Sequence, residues 1–137
     1  AMNELDRAEE FHGHLGPWLV VGMRVGQAAL ERVDARKYFG VRVEVAVPPA
    51  PPVSCLVDGL QLGTGATTGK ANLVVSRADP PRVRVINTET GRSATITFAE
   101  GLSAKLAAWL KEEGDRAAAR RVLEAPLEEL CAIVPEP

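Results

Sequence analysis

The chain has few of the residues that build disulfide-rich, nucleic-acid-binding or membrane-spanning proteins. It has two cysteines and two histidines in 137 residues, and only 4% of its residues are aromatic. Two cysteines cannot form a disulfide framework, so we expect reduced thiols and a cytoplasmic location. The net charge is −2 and the only basic cluster is Arg116, Arg120 and Arg121, which argues against nucleic acid as a partner. The most apolar segment, residues 18–33, contains three charged side chains, so we expect no membrane association.

What is present indicates one α+β domain over residues 1–137. Hydrophobic residues make up 46% of the chain and charged residues 25%, which is typical of a globular protein that can bury its own core. Helical and alternating hydrophobic periods predict the following elements. The helices are 17–34, 55–63, 100–113 and 116–124, with final helical turns within 127–133, and the strands are 40–47, 72–76, 82–87 and 93–98. We therefore expect a mixed or antiparallel sheet packed against a long N-terminal helix and C-terminal helices.

Local signals refine these elements. Gly22, Gly26 and Ala29 form a smooth strip along the first helix, which predicts close packing against a sheet or a second subunit. Ser54 is predicted to cap the helix that begins at Cys55, and Asp115 is predicted to cap the helix from residue 116.

The most informative segment of the chain contains both histidines. His12 and His14 are separated by one glycine, and Pro17 disfavours a helical conformation at Gly16. The pair is therefore predicted to lie in a loop before a helix, where two alternate side chains can point to one side. Neutral imidazole is the commonest metal ligand, so this segment is a candidate for part of a metal site.

Cys55 is the candidate for a third ligand. A cysteine in the first turn of a helix experiences the positive end of the helix dipole, which lowers the pKa of its thiol. Two nitrogens and one thiolate leave a fourth position open, as in zinc sites that exchange ligands. The alternative is that the two histidines and the cysteine only pack, since a lone buried cysteine behaves as a small hydrophobic residue.

The glycine- and threonine-rich segment 63–72 is a candidate for the wall of the same site. It does not match the phosphate-binding pattern G-x-x-x-x-G-K-[ST], so nucleotide binding is not favoured. Its polar side chains, together with those on the exposed face of the preceding helix, can hydrogen-bond to an anion. The alternative is that the segment is only a turn between a helix and a strand, in which the glycines adopt positive φ. The candidate substrate- or anion-binding residues are Asp58, Gln61, Thr67, Lys70 and Asn72.

Two blocks of residues resemble the signatures of the formylmethanofuran dehydrogenase E-subunit family. The first is Phe11 to Pro17, with Gly22 and Arg24 behind it, and the second comprises residues 55–61 and 64–73. The resemblance covers about the first half of the chain directly. It implies an α+β core, commonly a homodimer, in which a divalent metal is held by the residues at positions 12, 14 and 55, that is, His12, His14 and Cys55.

The chain also departs from the family pattern. Gly16 and Ala66 stand where the family often has cysteines, and the paired CxxC motifs of a C-terminal zinc ribbon are absent, which implies the core domain alone. Zinc is the expected metal, and nickel or iron also suit nitrogen and sulfur ligands. The resemblance implies an accessory or small-molecule-binding role near molybdenum or tungsten oxidoreductases, with their subunits as partners; the alternative is a non-catalytic dimeric interaction subunit whose motif residues are structural.

Overall fold

A computed structural model describes residues 2–137 and confirms the α+β class. Its helices are α1 Glu4–His12, α2 Pro17–Arg32, α3 Leu56–Thr64, α4 Leu102–Glu113, α5 Asp115–Glu124 and α6 Leu127–Leu130. Its strands are β1 Val41–Val47, β2 Leu73–Arg77, β3 Arg82–Asn87, β4 Ser93–Phe98 and β5 Cys131–Pro135, and a 3-10 turn covers Val53–Cys55. None of the helices in the described residues is long and apolar enough to span a membrane.

The five strands form one mixed sheet in the order β2-β1-β3-β4-β5. β1 runs parallel to β2, with Val43 opposite Leu73, and the other neighbouring pairs are antiparallel. The parallel pair requires a crossover, and the 3-10 turn and α3 supply it. Every second residue of β1 is buried, so the alternation in the sequence correctly predicts which face of this strand meets the core.

Helix α2 is the centre of the core and lies directly against α3. A Cβ added to Gly22 would lie 2.8 Å from the Cα of Gly59, and one added to Gly26 would lie 3.2 Å from the side chain of Thr64. The small-residue strip therefore packs against α3, and the expectation of a sheet or a second subunit as its neighbour is wrong. This close contact fixes the start of α3 relative to the start of α2, which is where the candidate ligands lie.

Two elements differ from those that the sequence predicts. Helix α1 has only Ala8 buried, so it carries no apolar stripe, although Asn3 and Asp6 form a capping box at its start. Residues 131–135 form a strand where helical turns are predicted up to 133, because they pair with β4, for example Ile133 with Ile96. Both elements depend on contacts far away in the sequence, which local periods do not report.

Neither predicted helix cap is present. Cys55 lies at the N-cap position of α3, with helical φ and ψ and no side-chain hydrogen bond, because the 3-10 turn leads directly into the helix. Gly114 lies at the N-cap position of α5, so Asp115 is the first helical residue and its carboxylate is free to contact another element.

Candidate metal centre

The two histidines lie at the junction between α1 and α2. His12 is the last residue of α1, so it lies in a helix rather than in the predicted loop. Gly13 follows with a left-handed φ of 100°, and its N–H donates to the carbonyl of Glu9 at 2.7 Å. His14 lies in the loop between the two helices. The turn at Gly13 brings the two imidazole rings together, with their centroids 4.7 Å apart.

Cys55 joins the histidines from the start of α3. One potential ligand atom from each of His12, His14 and Cys55 lies within 4.8 Å of the other two. A tetrahedral ion with bonds of about 2.0–2.3 Å holds its ligand atoms roughly 3.5 Å apart, so small side-chain rotations close the triad on an ion. The structure therefore contains a His/His/Cys site of the kind that the spacing and the resemblance both indicate.

Asp58 fixes the orientation of His12. Its Oδ2 lies 2.6 Å from Nδ1 of His12, whose side chain is only 10% exposed. An ionised carboxylate accepts hydrogen bonds only, so Nδ1 donates, and in a neutral imidazole Nε2 then carries the lone pair. Nε2 is buried and has no hydrogen-bond partner among residues 2–137. Burying an unpaired acceptor is costly, and coordination of an ion removes that cost.

Asp115 makes the corresponding contact with the second histidine. Its Oδ2 lies 3.3 Å from Nδ1 of His14, and both side chains are about half exposed. Helix α5 is also held to α1 by an ion pair between Arg116 and Glu9 at 2.6 Å. Sequence reasoning missed Asp115 because 101 residues separate it from His14, and its only local signal is its position just after Gly114.

The carboxylates also determine the electrostatics of the thiol. Burial raises the pKa of Cys55, and the negative charges of Asp58 and Asp115 raise it further. The expectation of a lowered pKa is therefore wrong for the metal-free chain, because desolvation and two nearby anions raise the pKa of this thiol. The same two charges favour a cation between the three ligands.

The residues present fit a divalent metal ion. Two imidazoles and one cysteine form a mixed nitrogen and sulfur donor set that suits zinc and also nickel or iron. Carboxylates on the far nitrogens of ligating histidines are a common feature of such sites, and the unpaired Nε2 of His12 is left available to an ion.

The other predicted site residues mostly hold the glycine-rich segment in place. Gln61 accepts from the N–H of Thr68 at 3.2 Å, and Asn72 accepts from the N–H of Thr67 at 2.9 Å. The hydroxyl of Thr67 accepts from Nζ of Lys70 at 3.1 Å. Among these candidates only Asp58 contacts a member of the His/His/Cys triad through a hydrogen bond. Anion binding by the other four stays a prediction.

Position 16 bears directly on the site. A Cβ added to Gly16 would lie 3.0 Å from Cε1 of His14, so a cysteine there would point at the imidazole. The second departure, Ala66, is fully buried. The absence of a thiol at position 16 leaves the triad with one cysteine and leaves room beside His14.

Comparisons with known proteins place these observations in a family. A protein of Archaeoglobus fulgidus named "Probable S-adenosyl-L-methionine-binding protein" is 32% identical over 134 residues, covering 86% of this chain and 35% of its own length. The chain thus spans about a third of that curated relative. The crystal structure of a tungsten formylmethanofuran dehydrogenase E-subunit (FmdE)-like protein from Syntrophus aciditrophicus shares the fold, with a TM-score of 0.67 and 17% identity over 96% of this chain and 69% of that one. The family described as "FmdE, Molybdenum formylmethanofuran dehydrogenase operon" matches residues 11–132, and the chain belongs to this family.

Proposed function

We propose that the chain is a divalent-metal-binding domain in which His12, His14 and Cys55 supply three ligands and a fourth position is open to a small molecule. The observation that carries the proposal is the buried Nε2 of His12, which has no hydrogen-bond partner in the described part of the chain while Asp58 holds Nδ1. A packed core histidine normally has both ring nitrogens satisfied, so this arrangement favours a ligand over a structural residue.

Each residue has a defined part in this proposal. Asp58 holds His12 in the tautomer that presents Nε2, and Asp115 faces the corresponding nitrogen of His14. His14 is half exposed, so incoming molecules reach the site from its side. Zinc is the metal that we propose, and when bound it supplies a Lewis-acid position that can polarise a carbonyl or activate water.

We further propose an accessory role beside molybdenum or tungsten oxidoreductases, supported by the family description and by the name of the Syntrophus relative. A second candidate function is a dimeric interaction subunit whose motif residues are structural. Exposed apolar residues in β2, which ends the sheet of the described residues, and in the loop before β1 favour it. Phe39 is 76% exposed, and Val74 and Val75 are 44% and 46% exposed. Such exposed residues at a strand edge are typical of a surface that another chain covers.

The test is metal content per chain, measured by plasma mass spectrometry on protein purified without a metal-affinity tag. We expect near-stoichiometric metal in the wild type and loss of metal in Cys55→Ser and His14→Ala. Cys131→Ser is the matched control, because Cys131 is free and lies in β5, outside the triad.

Two results contradict the proposal. One is a wild type that remains metal-free after incubation with zinc, nickel and ferrous iron. The other is a Cys55→Ser variant that keeps its metal as Cys131→Ser does. If such a metal-free chain is dimeric, the interaction subunit becomes the better account.

A further inference from the structure

A half-open apolar groove of about 380 Å³ lies between the start of α2, the 3-10 turn and α4. Its walls include Trp18, Val53, Leu106 and Leu110, and Lys111 is the one charged residue that lines it. This volume lies within the range of small-molecule sites, near the lower end. The groove therefore suits a compact molecule with little polar surface.

Each segment that lines the groove is close in the chain to a residue of the candidate metal centre. Pro17 follows Gly16, whose added Cβ would lie 3.0 Å from the ring of His14. The carbonyl of Pro52 accepts a hydrogen bond from the N–H of Cys55 at 3.2 Å. Helix α4 ends at residue 113, just before Asp115, which lies 3.3 Å from His14. Two of the segments that line the groove therefore adjoin His14 and Cys55 in the chain, and the third, α4, leads to Asp115.

We propose that this groove binds the apolar body of a small organic anion whose oxygen-donor head group occupies the open metal position. The inference rests on the proposed function and specifies the class of small molecule that the site takes. The apolar walls disfavour nucleotides and sugars, whose polar groups would lose hydrogen bonds with water. Lys111 complements a single negative charge, and the ion binds the head group.

The proposal predicts that affinity increases with the length of an apolar tail. Transfer of one methylene from water to an apolar site increases affinity about threefold to fourfold. Alkyl hydroxamates provide a suitable series, because the head group that binds a metal through oxygen is constant while the tail grows. Cobalt(II) is a suitable probe ion, because its absorption spectrum changes when a ligand enters the coordination sphere.

The experiment titrates the cobalt-loaded chain with acetohydroxamate, butanohydroxamate and hexanohydroxamate. We expect the dissociation constant to fall about threefold for each added methylene. Ala107→Trp fills the groove, since Ala107 lines it, and we expect it to abolish this dependence on tail length. Ala108→Trp is the matched control, because Ala108 is an exposed alanine of the same helix that does not line the groove.

The outcomes separate this inference from the proposed function. A chain that takes up no cobalt overturns both. A chain that takes up cobalt and binds all three hydroxamates equally overturns the groove proposal alone, as does an Ala107→Trp variant that keeps the dependence on tail length. If Ala107→Trp dissociates a dimer without changing that dependence, the groove is an interface between copies and the proposal is wrong.

Discussion

Replacing Asp58 by asparagine tests the link between the buried carboxylate and the metal centre. The amide can turn its NH₂ group toward Nδ1 of His12, which favours the tautomer with the proton on Nε2. That tautomer has no lone pair where the ion needs one. The substitution also removes one of the two negative charges near Cys55. We therefore expect Asp58→Asn to bind zinc more weakly than the wild type.

The contact distances determine the expected magnitude. Loss of such an outer partner costs about 10- to 100-fold in metal affinity, which is about 1.4–2.7 kcal/mol. Asp58 lies 2.6 Å from Nδ1 of His12, whose side chain is 10% exposed, so we expect Asp58→Asn to lose metal affinity near the 100-fold end of this range. Asp115 lies 3.3 Å from Nδ1 of the half-exposed His14, so we expect Asp115→Asn to lose metal affinity near the 10-fold end of this range.

The assay is competition for zinc against a chromophoric chelator at constant pH and ionic strength. Asp34→Asn is the matched control, because Asp34 is exposed, lies at the end of α2 and has a positive φ of 54° that asparagine also adopts. Asp58 is in the first turn of α3, so its replacement also weakens the metal-free fold by about 0.3–1 kcal/mol. Denaturation in excess chelator measures that contribution separately.

The reasoning is refuted if Asp58→Asn binds zinc as tightly as the wild type. It is also refuted if Asp34→Asn loses as much affinity as Asp58→Asn, because net charge alone would then explain the effect.

Two further predictions concern packing and thiol reactivity. Gly59→Ala should lower the free energy of unfolding by about 3 kcal/mol in chemical denaturation, because its Cβ would lie 2.1 Å from the carbonyl oxygen of Leu19. Gly69→Ala is the control, because its added Cβ would lie 4.0 Å from Oγ1 of Thr67, and it should change the free energy of unfolding by less than about 0.5 kcal/mol. Equal effects of the two substitutions would contradict the close contact between α2 and α3. In chelator-treated protein, iodoacetamide should modify Cys55 before Cys131, because burial raises the pKa of Cys131 to about 11. The thiolate fraction of Cys131, and with it the rate of its modification measured by peptide mass spectrometry, should increase about tenfold from pH 8 to pH 9. Zinc should slow the reaction of Cys55 alone, and equal protection of both thiols would argue against Cys55 as a ligand.

The sequence predicts the elements that have a strong local period. Strands β3 and β4 have the predicted boundaries, and the hairpin between them follows from the turn residues 88–92. Helix α2 begins at Pro17 as predicted, because proline is well suited to the first helical position. Helix α1 and strand β5 are missed, since one is mostly polar and the other is a five-residue strand defined by its pairing with β4.

The three proposed ligand residues could be identified from the sequence, whereas their surroundings could not. His12 and His14 are separated by a single residue, and Cys55 is the one cysteine within a recognisable block of residues. The partners of the histidines depend on how helices dock. Asp58 was identified for its place on the face of α3, but its contact with His12 spans 46 residues, and Asp115 gave no signal beyond starting a helix.

The docking of α5 beside His14 has a consequence for when a nascent chain would bind the proposed metal ion. All three proposed ligand residues are translated by position 55, but Asp115 follows 60 residues later. At synthesis rates of about 5–20 residues per second, that gap lasts roughly 3–12 s. During this interval a ribosome-bound chain has the ligands without the carboxylate that orients His14. With the proposed metal, the site then reaches its full affinity only after α5 has been translated and has docked, about tenfold above the affinity of the shorter nascent chain.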